Sequence, residues 1–181
     1  AYIRKHYSDY IILRSSLIYG SRYDKNFHKL FNRIKNERSI LITSDGLKSL
    51  YKPIYYKDLA GLIYKLIINL KILKSNEYNI TGPDIIQLGD IIKSISNISN
   101  KPARIIKLPY FAIKYPLQVL ETIPFIEKLL PIKSEQILRL SENKISKSDI
   151  SSISPKYKLT SIHKGLQMQY DEMYTNSQYI D

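Results

Sequence analysis

Three kinds of residue would carry chemistry in this 181-residue chain if suitably spaced: glycines to cradle a phosphate, histidines or cysteines to hold a metal, and arginines to clasp an anion. The six glycines are Gly20, Gly46, Gly61, Gly82, Gly89 and Gly165, and no two lie closer than Gly82 and Gly89. That spacing excludes both a G-x-G-x-x-G turn and a P-loop. The three histidines, His6, His28 and His163, are too far apart for local ligand spacing, and the chain has no cysteine, so no metal site is expected. No HExxH and no G-x-S-x-G segment occurs. Arg22 is the anion-binding candidate, because a guanidinium matches phosphate oxygens in a bidentate fork; the alternative is a solvated surface arginine.

The bulk composition narrows the classes. Hydrophobic residues make up 44% of the chain, enough for one domain with its own core. The net charge of +12 invites a polyanion partner, but the lysines are scattered through every segment, the pattern of a solvated surface, so nucleic acid is not the expected partner. Lys65 and Lys71 interrupt the apolar stretch from Leu59 to Leu73, and Lys107, Lys114, Glu121 and four prolines interrupt that from Ile105 to Ile132, so no transmembrane helix is expected. A chain opening on Ala1 within what reads as the end of a helix suggests that an N-terminal part is missing.

The elements that must position any site follow from periodicity. Residues 10 to 19, YIILRSSLIY, form a nearly continuous apolar run that predicts one strand buried on both faces of a parallel sheet, ended by Gly20. Phe27, Leu30, Phe31 and Ile34 predict a helix over 24–36, Ser39 to Thr43 a strand, and Ser44-Asp45-Gly46 a turn. A short strand at Ile54 to Tyr56 leads into a helix over about 58–73, with Leu59, Leu62, Ile63, Leu66, Ile67 and Leu70 as its apolar stripe. Glu77 to Ile80 predicts a strand, and Leu88, Ile91, Ile92, Ile95 and Ile98 a second amphipathic helix. Strand then helix, repeated, signals α/β. Beyond a strand at Ala103 to Lys107, Pro109, Pro116, Pro124 and Pro131 predict short helices broken at each proline, with Ser134 capping another. Tyr110, Phe111, Tyr115 and Phe125 are expected to pack among them, with a pocket wall or membrane contact as alternatives. The tail beyond Gln169 reads as polar and frayed.

Four segments, in order and in register, carry a family resemblance. They are Ile12-Leu13-Arg14-Ser15-Ser16-Leu17-Ile18-Tyr19-Gly20, Lys52-Pro53-Ile54-Tyr55-Tyr56-Lys57-Asp58-Leu59-Ala60, Tyr78-Asn79-Ile80-Thr81-Gly82-Pro83, and Ser154-Pro155-Lys156-Tyr157 through Gly165-Leu166. Together they resemble the LRP-x-x-x-YG strand, the P-V-H-V-x-D-L-A strand and helix, the YN-x-x-G strand and the closing segment of extended short-chain dehydrogenases/reductases, the NAD-dependent epimerase/dehydratase family. The likeness spans residues 3 to 167.

This resemblance implies an α/β chain: the C-terminal portion of a Rossmann-type doubly wound parallel sheet plus a smaller, mostly helical α/β substrate domain. Residues 1–19 and 51–73 would be the remnant of the NAD(P)-binding Rossmann domain, 20–50 and 74–168 the substrate domain, and 169–181 a polar tail. The family's Tyr-x-x-x-Lys pair would precede Ala1, so no catalytic residue is expected here and the chain would be inactive alone. Ser15 and Ser16 would contact the carboxamide of NAD or NADP, with locally bonded strand hydroxyls as the alternative. Tyr19, Gly20, Arg22, Asn26, Lys52 and Tyr55 would face a nucleotide-sugar-like substrate. Asp58 is expected to serve the start of its own helix. The implied setting is cytoplasmic, with the missing N-terminal Rossmann portion as partner and a homodimer among the assemblies allowed. Ser15 stands where the family pattern has proline, Tyr55 where it commonly has histidine, and Tyr51 where many members carry a diphosphate-gripping arginine. The departures at Tyr51 and Tyr55 motivate a second reading, a non-catalytic binding or assembly subunit of the same fold. A third is a basic domain that binds nucleic acid or an anionic membrane.

Overall fold

In chain order the elements are α1 (Tyr2–His6), β1 (Ile11–Ser15), β2 (Ile18–Tyr19), α2 (Phe27–Lys35), β3 (Ile40–Thr43), α3 (Ser44–Lys48), β4 (Leu50–Tyr51), β5 (Ile54–Tyr55), α4 (Tyr56–Ile68), β6 (Asn76–Ile80), β7 (Ile86–Gln87), α5 (Leu88–Ser99), β8 (Ile105–Leu108), α6 (Tyr110–Glu121), α7 (Ile150–Ile153) and α8 (Ile162–Tyr174). They come from a computed structural model that describes residues 2–7, 10–68, 76–121 and 142–175. Two compact units result. One comprises Ala1–His28, Lys52–Ile85 and Ile145–Asp181; the other Lys29–Tyr51 and Ile86–Lys144. Their boundaries differ from the cofactor and substrate partition implied by resemblance, since β6 and residues 145–168 group with β1.

In the first unit β1 pairs in parallel with β6, Ile11 opposite Asn76 and Ser15 opposite Ile80, while β2 pairs in parallel with β5, Tyr19 opposite Tyr55. The apolar run of residues 10 to 19 is therefore two strands, not one. The partner changes at Ser16–Leu17, where the Ser16 N–H donates to the Ile80 carbonyl at 2.9 Å and the Leu17 carbonyl accepts the Ile54 N–H at 2.9 Å. Nor is the run buried on both faces: Ile11, Ile12 and Leu13 are half-buried and Arg14 and Ser15 exposed. Ile54, Leu62, Tyr78, Ile80 and Ile150 form the core, with Ile11, Leu13, Leu59, Ile153, Tyr157 and Leu159 packed on it. On α4, Leu62 and Leu66 face inward, but Ile63 and Ile67 of the expected stripe are exposed, because at 100° per residue they lie on the far edge of the buried face. Leu70 lies outside the described residues.

In the second unit β3 runs parallel to β8, Ile40 opposite Ile105, and β4 antiparallel to β7. Phe31, Ile34, Ile40, Ile42, Leu88, Ile91, Ile92 and Ile95 are buried, following the helical and strand periods read from the sequence. The turn expected at Ser44-Asp45-Gly46 is instead the start of α3, because Thr43 Oγ1 accepts the Gly46 N–H at 3.0 Å and caps the helix. A break was also expected at Pro116, yet α6 runs through it, with Pro109 placed just ahead of its first residue. Pro124, Phe125, Pro131 and the helix capped by Ser134 lie outside the described residues.

Candidate functional site

Parallel strands gather ligands at their C-terminal ends. In the first unit those ends are Ser15 of β1, Tyr19 of β2, Tyr55 of β5 and Ile80 of β6. Ser15 is exposed there. The Ser16 hydroxyl donates to the Lys52 carbonyl at 2.7 Å, so it is bonded within the chain, and the half-buried Lys52 also accepts the Gly82 N–H at 3.3 Å.

Gly20 turns the chain with φ of 111°, a left-handed conformation that favours glycine, and any side chain there would run into the Tyr55 ring. Tyr19 and Tyr55 are 1% and 2% exposed. Their ring centroids lie 5.7 Å apart, Phe27 sits 5.5 Å from Tyr19, and the Tyr19 hydroxyl donates to the Ser161 carbonyl at 3.4 Å. Both tyrosines, expected as ligand contacts, are buried, with Tyr19 packed on Tyr55 and Phe27. Burial, followed by Tyr56, Glu172 and Asp58, pushes the Tyr55 hydroxyl up to about 12. Burial with Asp58, Asp84 and Tyr55 raises that of Tyr19 further. Raised folded-state values mean that ionisation favours the unfolded chain, so this contribution to stability is complete below the ordinary tyrosine value of 10.0 and falls as pH rises through 12. Unfolding midpoints measured between pH 8 and 12 should accordingly hold steady and then drop above roughly pH 10; a flat profile to pH 12 would contradict the packing of these two hydroxyls.

The loop after Gly20 is built by its own carboxylate and by α8. Asp24 Oδ1 accepts the Asn26 N–H at 2.7 Å and Oδ2 the Phe27 N–H at 3.0 Å, which starts α2 and leaves Asn26 exposed. Arg22 Nη2 donates to the Glu172 carbonyl at 3.1 Å, in the last turn of α8, where carbonyls lack intrahelical partners and a cation meets the negative end of the dipole. Glu172 returns the contact: its Oε1 accepts the Arg22 N–H at 3.3 Å and its Oε2 the Tyr56 hydroxyl at 3.2 Å. His28 Nδ1 lies 2.6 Å from the Arg22 carbonyl and must carry the proton, since a carbonyl only accepts. Gln169, fully buried, donates from Nε2 to the Ser21 carbonyl at 3.0 Å and to Asp24 Oδ2 at 3.1 Å.

Residues beyond Gln169 are therefore not frayed as far as Tyr174. Tertiary bonds from Gln169 and Glu172 hold them, and residues 176–181 lie outside the described residues. The inward residues Ile162, Gly165, Leu166 and Gln169 recur at helical spacing, and that was the available signal for α8. Asp58 stands at the start of its helix as expected and also reaches beyond it. Its Oδ2 accepts the Thr160 N–H at 2.6 Å and its Oδ1 the Thr160 hydroxyl at 3.1 Å. Asp84 accepts the Ile162 N–H at 2.7 Å, capping α8 from outside, and Asp149 accepts the Asn79 N–H at 2.7 Å. Nothing in the local pattern marks these three carboxylates as clamps for residues 149–162.

Ser15 offers one exposed hydroxyl, Ser16 is engaged with Lys52, and a phosphate-cradling glycine turn is absent from the sequence.

Solved structures share this architecture. UDP-glucuronic acid 4-epimerase from Bacillus cereus, in complex with UDP-glucuronic acid and NAD, matches with a TM-score of 0.65 and 23% identity over 92% of this chain and 45% of its own. UDP-glucose 4-epimerase from Thermus thermophilus, in complex with NAD, matches with a TM-score of 0.64 and 12% identity over 95% and 49%. dTDP-4-dehydrorhamnose reductase from Bacillus anthracis, in complex with NADP, matches with a TM-score of 0.60 and 19% identity over 94% and 51%. No protein-family model and no curated protein matches the sequence. The chain has the Rossmann-type α/β fold of these sugar-nucleotide epimerases and reductases, and it spans about half the length of the structures it matches. No helix among the described residues is long and apolar enough to cross a membrane.

Proposed function

We propose that this chain is the C-terminal, substrate-side part of an NAD(P)-dependent sugar-nucleotide epimerase, dehydratase or reductase-like protein, and that it does not turn over substrate alone. The observation that carries the reading is the pairing of β2 with β5, which sets the Gly20 turn and the Ser21–Asn26 loop at the ends of parallel strands in a fold shared with enzymes solved with UDP-sugar and NAD. Ser15, Arg22, Asn26 and Lys52 are the residues left for ligand, and the other half of the fold is the partner that would bring the cofactor.

A second reading, a binding or assembly subunit of the same fold, is favoured by the packed Tyr19 and Tyr55 and by the hold of Glu172 on Arg22. Titration of the isotope-labelled chain with UDP-glucose, UDP and NAD, followed by amide shifts, separates the two. The first predicts saturable shifts at Gly20–Asn26 and Lys52 with UDP-glucose and UDP, and no turnover. Shifts absent at millimolar nucleotide would leave the subunit reading in its place.

A further inference from the structure

We infer that α8 is the positioning element of the ligand loop, with Glu172 and Gln169 setting the conformation of Ser21–Asp24 from the far end of the chain. Three observations carry it. Four polar holds of α8 fall on that short stretch: the Arg22 N–H and guanidinium on Glu172, and the Ser21 carbonyl and Asp24 carboxylate on Gln169. The Gln169 amide has one workable orientation, because both loop groups are oxygens; its Oε1 is then buried with no hydrogen-bond partner among the described residues. The buried amide therefore fixes the Ser21 carbonyl and the Asp24 carboxylate relative to α8. Finally, α8 is itself tied to the strand ends: Asp84 caps it, and Gly165 packs directly against Tyr19 of β2. Loop and helix therefore report on each other.

The consequence for ligand rests on the function proposed above. Glu172 holds the Arg22 backbone N–H through its carboxylate, and a nucleoside diphosphate would draw the guanidinium away from the Glu172 carbonyl while that backbone hold remains. Loosening α8 should cost affinity through lost preorganisation. By reciprocity, nucleotide should slow exchange at the α8 amides.

The test uses the whole chain and three variants, Glu172→Ala, Glu172→Gln and Tyr56→Phe. Amide exchange at Arg22, the thermal midpoint and the dissociation constant for UDP-glucose are measured for each. Glu172→Ala should speed Arg22 exchange about tenfold and weaken UDP-glucose about tenfold, with a midpoint lowered but still that of a folded chain. Glu172→Gln, whose amide oxygen still accepts the Arg22 N–H, should restore most of both. Tyr56→Phe deletes one hydroxyl and should speed Arg22 exchange by a smaller factor, which serves if Glu172→Ala does not fold. Unchanged Arg22 exchange in the folded variants overturns the inference. Faster exchange with unaltered affinity overturns its ligand consequence. If the wild type does not bind UDP-glucose, the proposed function falls, and the exchange data alone decide whether α8 positions the loop.

Discussion

Gly82→Ala should be the most damaging small substitution in this chain. Gly82 follows β6 after the fully buried Thr81, and its N–H donates to the Lys52 carbonyl at 3.3 Å. A methyl at Gly82 would be driven into the Pro53 carbonyl oxygen and lie 2.7 Å from its carbon. These are backbone atoms flanked by a proline and by the buried Ile54, so they cannot swing aside as a side chain does. Relief requires the segment after β6 to part from β5, with a cost of roughly 3 kcal/mol, the upper end for overpacking. That is a large fraction of the ~5–15 kcal/mol that holds a typical domain folded. A urea titration should show the midpoint falling with little change in slope. Gly89→Ala is the internal contrast: its nearest neighbour would be the Leu47 carbonyl at 3.2 Å, and alanine suits the helical backbone of α5 better by up to ~1 kcal/mol, so its midpoint should barely move. Equal midpoints for the two variants would refute this account of the β5–β6 approach.

Asp58→Ala is expected to have the second-largest effect. The Asp58 carboxylate, 9% exposed, satisfies both the N–H and the hydroxyl of Thr160, and the Tyr157 hydroxyl donates to the Asp58 carbonyl at 3.2 Å. Removing the carboxylate strands two donors in a partly buried place, at about 1–3 kcal/mol, with more than one bond lost at once. The loss should be local in character. Residues 154–161 detach from α4 first, so limited proteolysis should cut there before global unfolding. Asp58→Asn keeps one acceptor and should recover part of the stability. If Asp58→Ala melts like the wild type and resists proteolysis, the carboxylate is not the clamp described here.

Much of the architecture was legible beforehand because it is written in local periodicity. The 3.6-residue recurrence of Phe27, Phe31 and Ile34, and of Leu88, Ile91, Ile92 and Ile95, marks helices whose buried faces the structure confirms. The apolar run ending at Gly20 marked strand, but a hydrophobic pattern carries no information about which partner each segment takes. Its division into β1 and β2 at Ser16 follows only once β6 and β5 compete for neighbouring backbone groups. In the same way the pattern of α4 named the helix and over-counted its buried face, since Ile63 and Ile67 are as apolar as Leu62 and Leu66.

For the candidate site the division is sharper. The sequence alone determined the residue types available: one arginine beside a glycine turn, serines at a strand end, and no glycine-rich phosphate cradle or cysteine ligand. It also determined, through four short motifs in register, which fold to expect. Only the tertiary structure decided how those residues are employed. Arg22 meets Glu172 across 150 residues, Thr160 meets Asp58 across 102, and Gln169 meets Asp24 across 145. Hydrogen bonds at such separations depend on chain closure and not on neighbouring residues, so an exposed polar residue and a buried clamp look alike until α8 is docked.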